Sequence, residues 1–441
     1  MEMIGKIRSR LGPLWWNTAL MFVASRMGDV VTLYIGMFLV PDLVDQAKLG
    51  AVLPATRLAT IFALPFLFVL TGGLKYINVY YNQGELGKVK ALIRDLSILA
   101  AVLSFISVGL LWFARGAIME RLKIEDSTVF VLIGALTVMT FWNPLAFIAA
   151  QSLKRFKILI AAKIVGPIAR LVAALLLLAS FQVAGYLTAQ LALVLAVFVL
   201  LISSFWHFVR PSVKAVSYRA DYKAIVAYTI PVGICLIVEL SRQLVEPWVV
   251  RQRLSEVESA AFYVVFTFGQ IPLWVAPALI PFLFPVVSEK HERGEDTSKI
   301  HAQALFITLL IGAGITVAFL FFGHFLLGLR DSWKVYQSYS GWLFILSLSA
   351  SLTTFIVAHY THENACRRYR YLYYLAPLTI LELVILYGIW AVPGAQGVIT
   401  NPFAFVMWTM LLARVLITIC IFLEARLIPN FIESCKLRLQ Q

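Results

Sequence analysis

Charge is what this chain has least of. Only 14% of its 441 residues are Asp, Glu, Lys or Arg, against 61% hydrophobic and a mean hydropathy of +0.86. A soluble domain carries roughly 25% charged residues, so the shortfall excludes a soluble globular fold and indicates an all-α polytopic membrane protein. Acids are scarcer than bases, 23 against 37, a formal net charge of +14. An excess of that sign suits nucleic acid only as a stripe on a soluble face, and here the Lys and Arg fall in short breaks between apolar runs. No nucleic-acid partner is expected. Cys235, Cys366, Cys420 and Cys435 have no paired spacing, which removes a disulfide framework and a thiolate metal site. There is no glycine-lysine phosphate loop, so ATP is not a direct energy source. No outer connection exceeds about a dozen residues, whereas a membrane glycosyltransferase or polymerase carries a large outer loop with catalytic acids. The protein is not expected to be an enzyme.

What the chain does have is long apolar runs. Windows of about 20 residues give twelve spans. Their approximate limits are 13–40, 52–73, 95–114, 128–152, 158–181 and 184–209 in the first half. In the second they are 224–250, 260–287, 303–329, 337–361, 371–393 and 403–426. The first run is too long for a signal-peptide core and is expected to be retained. Alternate connections and both tails hold 23 Lys and Arg, the remaining connections only 8. The basic side is cytoplasmic by the positive-inside rule, which puts both termini there in a bacterial or archaeal plasma membrane.

The charges left inside spans are the informative ones. Arg26 and Asp29 stand mid-run in the first span, three residues apart and therefore on one helix face. A charge at the bilayer centre costs about 2.5–3.5 kcal/mol on insertion scales, so it faces a protein interior or a watered cavity. Two readings fit: a neutralised structural pair, and a substrate or ion site. Arg170, Arg242 and Arg414 are equally central, as are Glu239 and Glu382, with Glu246 nearer the outer end. Arg57 and Lys163 lie within a turn or two of span ends and read as snorkelling to the interface. His207, His324, His359 and His362 lie at span ends without ligand spacing and read as interfacial, as do Trp142, Trp274 and Trp342. No metal site is expected.

The two halves repeat. A shift of 210 residues lays Gly84-Glu85 on Gly294-Glu295, Pro167 on Pro377 and Asp29 on Glu239. A shift of 213 lays Arg155-Phe156-Lys157 on Arg368-Tyr369-Arg370. Two lobes of six spans follow, 1–215 and 216–441, related by an axis along the membrane normal because six is even. Pro54, Pro65, Gly72 and Gly73 interrupt the second span and Pro272, Pro277, Pro281 and Pro285 the eighth, which fits either hinges or cavity-lining helices, or static kinks that aid packing.

With that organisation the chain resembles the multidrug/oligosaccharidyl-lipid/polysaccharide (MOP) exporter superfamily. The resemblance is strongest from Gln270-Ile271-Pro272-Leu273 through Pro285-Val286-Val287-Ser288-Glu289 to Arg293-Gly294-Glu295, which looks like the polysaccharide (Wzx-like) flippases and, more distantly, the lipid II flippases. The resemblance implies two six-helix lobes around a central cavity. It also implies transfer of an undecaprenyl-diphosphate-linked oligosaccharide from the cytoplasmic to the outer leaflet, with membrane lipids and polysaccharide polymerase machinery as partners. Arg26 and Arg57 are counterparts of arginines that lipid II flippases use. The chain departs from that family in having no second Arg directly before Asp29 and about twelve spans rather than fourteen. Drug antiporters of the superfamily pair a first-helix acid with a nearby proline, and Asp29 has none within its turn.

An anionic diphosphate suits an interior that leans basic. Arg26, Arg57, Arg170 and Arg242 are the expected head-group ligands, since guanidinium offers planar multi-donor contacts and keeps its proton. Asp29, Glu239 and Glu382 are candidates for binding a coupling H⁺ or Na⁺, and no other cofactor is expected. The alternatives are a lipid II flippase and a cation-coupled antiporter for organic solutes. The antiporter predicts an acid-dominated cavity. A scaffold would leave the buried charges unexplained.

Overall fold

A computed structural model describes residues 20–21, 23–209, 214–275, 283, 286–288, 290–291, 293–388, 399 and 401–425. All regular structure among the described residues is helical. Large apolar side chains point outward from the helices, with Phe105 at 84% and Phe113 at 90% exposed. Such a surface is stable only against lipid.

The helices are α1 Val23–Leu43, α2 Val52–Ile61, α3 Leu64–Asn82, α4 Leu86–Phe113, α5 Ser127–Ser152 and α6 Phe156–Val209. They continue with α7 Tyr222–Arg253, α8 Glu256–Gly269, α9 Ser298–Gly328, α10 Gly341–Ala365, α11 Leu372–Gly388 and α12 Pro402–Ala425. Among the described residues nine crossings satisfy length and apolarity, counting the bent pair α2 and α3 as one. α6 is two spans in one run. At Gln182 the backbone leaves helical geometry (φ 52°, ψ −123°). Arg170 then meets Tyr186, and Gly166 meets Leu193 and Val197, so the arms fold back on each other. α8 with the short helix Ile271–Val275 is the described part of the eighth span, and the 17-residue α11 completes the twelve. Pro277, Pro281 and Pro285 lie outside the described residues, as do Cys435 and the basic residues of both tails.

The helices begin and bend where their residues dictate. Asp126 caps α5 by accepting from the Thr128 amide at 2.8 Å, and Ser255 with Glu258 forms a capping box on α8. The 57° bend between α2 and α3 falls at Phe62-Ala63, just ahead of Pro65, whose missing N–H and fixed φ start a helix but cannot continue one. Gly72 and Gly73 do not break α3. They let it approach Thr229 and Leu96 more closely than a Cβ would permit.

Contacts divide the chain into two compact units, Met1–Leu244 and Val245–Gln441. In the first, Phe66, Leu70 and Ile77 of α3 pack with Leu92 and Leu96 of α4 and Phe141 and Leu145 of α5. In the second, α10 is the central helix and most of its length is buried. It packs on α9 through small and hydroxyl residues: Thr316 meets both Ser347 and Ser351 at 3.1 Å, and Gly312 abuts Ser351. In lipid, where apolar contact alone gives no driving force between helices, such close approach is what holds them together.

The repeat is visible in backbone geometry. Gly84 (φ +77°) and Gly294 (φ +74°) both adopt the left-handed conformation. The amides of Glu85 and Glu295 donate to the carbonyls of Tyr80 and Lys290, at 2.9 and 3.0 Å. Those donors and acceptors are each 210 residues apart, and the bond spanning five residues is the Schellman closure of a helix. Lys154 (φ 56°) and Arg367 (φ 55°) repeat the device at a shift of 213, with Arg155 donating to Ala150 and Arg368 to Glu363.

Candidate functional site

In the first unit, Arg26 and Asp29 pair at 3.0 Å with side chains 32% and 31% exposed. Asp29 lines a cavity of about 520 Å³ together with Thr32 of α1, Asn143 and Phe147 of α5, and Lys163 and Pro167 of α6. α1 can lie this close because Gly28 has no side chain; a Cβ there would sit 3.0 Å from the Pro167 ring. Lys163 does not reach for an interface. It lies inside this cavity, 5.2 Å from the Phe147 ring centre and within electrostatic range of Asp29 and Arg26. The expectation of snorkelling fails here because distance from a span end says nothing about which side of the helix faces the protein.

Arg170 stands behind Thr32. It is 4% exposed, donates from Nη1 to the Thr32 hydroxyl at 3.2 Å and from Nη2 to the Tyr186 hydroxyl at 2.8 Å, and stacks on the Tyr186 ring. Among the described residues no carboxylate pairs with it, and its Nε is a buried donor without an acceptor. Among the described residues, the intramembrane group of Arg26, Lys163 and Arg170 thus holds three basic side chains to one carboxylate, Asp29. Arg57 is half-buried on α2.

The other predicted residues are spent in pairs. Within the first unit, Arg242 and Glu239 of α7 form a buried ion pair, with Gln243 also donating to Glu239 at 3.4 Å. Arg242 keeps Nη1 without an acceptor among the described residues. Within the second unit, Arg414 of α12 bridges Glu382 of α11 and Glu246 of α7 and donates to the Met410 carbonyl at 2.8 Å. These three side chains are 2–4% exposed.

Sequence reasoning did not select Lys163, Thr32, Asn143 and Tyr186, nor the Arg414–Glu246 partnership. Only the central position of Arg414 in its span hinted that a carboxylate must lie nearby. The expectation of interfacial histidines is also corrected: His359 and His362 are 2% and 3% exposed and pack inside the second unit against His301. Histidine 207 has no described side chain.

No family model matches the chain, and no curated protein sequence matches it. Solved structures do. An inward-facing multidrug resistance MATE transporter of the MOP superfamily superposes with TM-score 0.70 at 14% identity, covering 94% of this chain and 99% of that one. Lipid II flippase MurJ in an inward closed conformation gives 0.67 at 11% identity, over 92% and 87%. A Vibrio cholerae MATE transporter gives 0.62 at 13% identity, over 93% and 98%. The fold is that of the MATE and MurJ transporters. At these identities the likeness establishes architecture, and the chemistry must be argued from the charged groups just described.

Proposed function

We propose that this protein flips an undecaprenyl-diphosphate-linked oligosaccharide across the bilayer by alternating access, with both termini cytoplasmic and the repeat boundary near residues 215 and 216. The observation that supports this reading is the charge balance beside α1, where the described residues hold three basic side chains to one carboxylate. A cavity for a cationic drug would carry the opposite excess. Diphosphate needs several convergent donors to leave water, and guanidinium groups supply them without proton loss. Arg26, Lys163 and Arg170 are the head-group ligands in this proposal, while Arg242 is committed to Glu239. Of the three candidate coupling acids, Asp29 is the best placed, since Glu239 and Glu382 are buried against arginines.

Mass spectrometry of prenyl-diphosphate-linked intermediates, before and after depletion of the protein, tests the reading. Accumulation of one oligosaccharide-lipid supports it and identifies the cargo. Accumulation of the peptidoglycan precursor points instead to lipid II. An unchanged lipid pool, with redundant flippases removed, rejects both and favours a cation-coupled antiporter, the reading that the half-buried, cavity-lining Asp29 carboxylate serves best.

A further inference from the structure

The transport reading makes no use of a cluster of metal-ligating side chains found among the described residues. It lies within the second unit, where α9 begins and α10 ends, around a cavity of about 770 Å³. His301, His359 and His362 are 5%, 2% and 3% exposed. The Nδ1 of His359 is 3.3 Å from the Nε2 of His301, and the Nδ1 of His362 is 2.9 Å from a Glu363 oxygen. Ligand atoms of His301, His362 and Glu363 all fall within 4.8 Å of one another.

We propose that His301, His359 and His362 bind a late first-row divalent ion of the Zn²⁺ type, with Glu363 orienting His362 from behind. Four observations support it. The first is separation: two nitrogens on a tetrahedral zinc, each 2.0–2.1 Å from the metal, lie about 3.3 Å apart, which is the His301–His359 spacing. The second is tautomer control. Tyr374 hydrogen-bonds the Nε2 of His359 at 3.2 Å and also meets Glu424, so a proton on that nitrogen leaves Nδ1 of His359 bare and facing His301. Glu363 holds the proton on Nδ1 of His362 in the same way, so its Nε2, 3.0 Å from the Thr297 hydroxyl, carries the lone pair. Carboxylates and hydroxyls behind metal-ligating histidines do this work in known sites.

The third observation is proximity. His301 and His362 stack in parallel with ring centres 3.9 Å apart, which gathers their ring nitrogens at one place in the cavity wall. Binding turns these two rings out of the stack and draws the donors from 4.8 Å towards the tetrahedral spacing. The fourth is charge: among the described residues Glu295, Asp296, Glu363 and Glu424 line the cavity against Arg368, Arg370 and the Lys290 that pairs with Glu295 at 3.5 Å, a surplus of one carboxylate. A nitrogen-rich set selects Zn²⁺ and its neighbours over Mg²⁺ and Ca²⁺, which require oxygen donors. The Cys366 sulfur, 3.9 Å from the Nε2 of His362, lies beside the site.

The test uses the purified full-length protein in detergent, stripped with EDTA. Zn²⁺ is titrated in competition with a chromophoric chelator, and Co²⁺ is added separately for visible spectra. One equivalent should bind, Co²⁺ should give the intense bands of a four-coordinate ion, and Mg²⁺ should not compete. His301→Ala and His359→Gln should each weaken binding at least about tenfold. His324→Ala, at the far end of α9, should not. Glu363→Gln supplies the same comparison if a histidine variant fails to fold, as judged by its elution and melting without metal. Absence of binding, equal affinity in wild type and the cluster variants, or a pale octahedral cobalt spectrum overturns the assignment. None of these readouts depends on transport, so the site stands or falls apart from the flippase reading.

Discussion

Arg26 and Arg170 differ in what their partners leave free. Arg26 is tied to Asp29 yet one-third exposed, so Arg26→Lys keeps the charge and loses the multidentate grip. Export of the lipid-linked glycan should fall at least about tenfold, roughly the 1.5–3 kcal/mol of one charge-assisted hydrogen bond, while protein level in the membrane is unchanged. Full export by that variant would argue against direct phosphate binding. The α7 pair poses the opposite case. Glu239→Leu strands the buried Arg242 and should cost about 3–5 kcal/mol, read as a lowered melting temperature in detergent. Adding Arg242→Met should recover most of that loss, because a buried pair contributes little beyond neutralising itself. If the double variant recovers melting but not export, the pair has a role in transport as well as in folding.

At the scale of the helix, the informative positions are the ones where a side chain is missing. Gly28 puts α1 against Pro167, and a rigid ring cannot yield as a flexible side chain would. Gly28→Val should therefore displace α1 from α6, cost about 1–3 kcal/mol by overpacking and widen the cavity around Asp29. Reaction of a cysteine placed at Thr32 with a water-soluble maleimide would rise if the cavity opens. An unchanged rate would mean that α6 gives way instead. Residues of this kind explain what could be read in advance. The Gly-Glu pairs at 84 and 294 marked the repeat because a left-handed helix end demands glycine wherever it recurs. The Arg26–Asp29 pair was legible because three residues make one helix face. Arg414 and its two acids were not, since they come from three helices 32 and 168 residues apart in sequence. The histidine cluster failed for the same reason, joining the first turn of one helix to the last turns of another.

At the scale of the whole molecule, the alternating access proposed above would require contacts that close and reopen, and the first unit contains a set suited to it. The start of α7 and the segment before it fasten onto α3 and α4. Lys88 pairs with Asp221 at 3.1 Å, Tyr80 donates to the same carboxylate at 2.9 Å, Tyr218 donates to Asp95 at 3.0 Å, and Lys75 sits 3.7 Å over the Tyr228 ring. Further along, Gly72 meets Thr229 and Gly233 meets Phe68 with no room for a Cβ. The polar contacts are half-exposed, so each is weak, and several weak links on one close-packed seam suit a contact that must break in every cycle. Burial and the bond to Asp95 push the Tyr218 hydroxyl up to about 12. Its contribution is complete below pH 10 and is lost only as pH rises towards 12, so acidification should not release it. Charge reversal should. Lys88→Glu replaces an attraction with a repulsion at a partly screened site, worth about 1 kcal/mol and roughly a fivefold shift towards the open seam. Thiol labelling at a cysteine introduced in place of Val216 would report that shift. Adding Asp221→Lys restores the attraction and should return labelling to its original rate. If the double variant instead labels like the single one, the glycine contacts alone hold the seam, and the polar contacts above it have no part in gating.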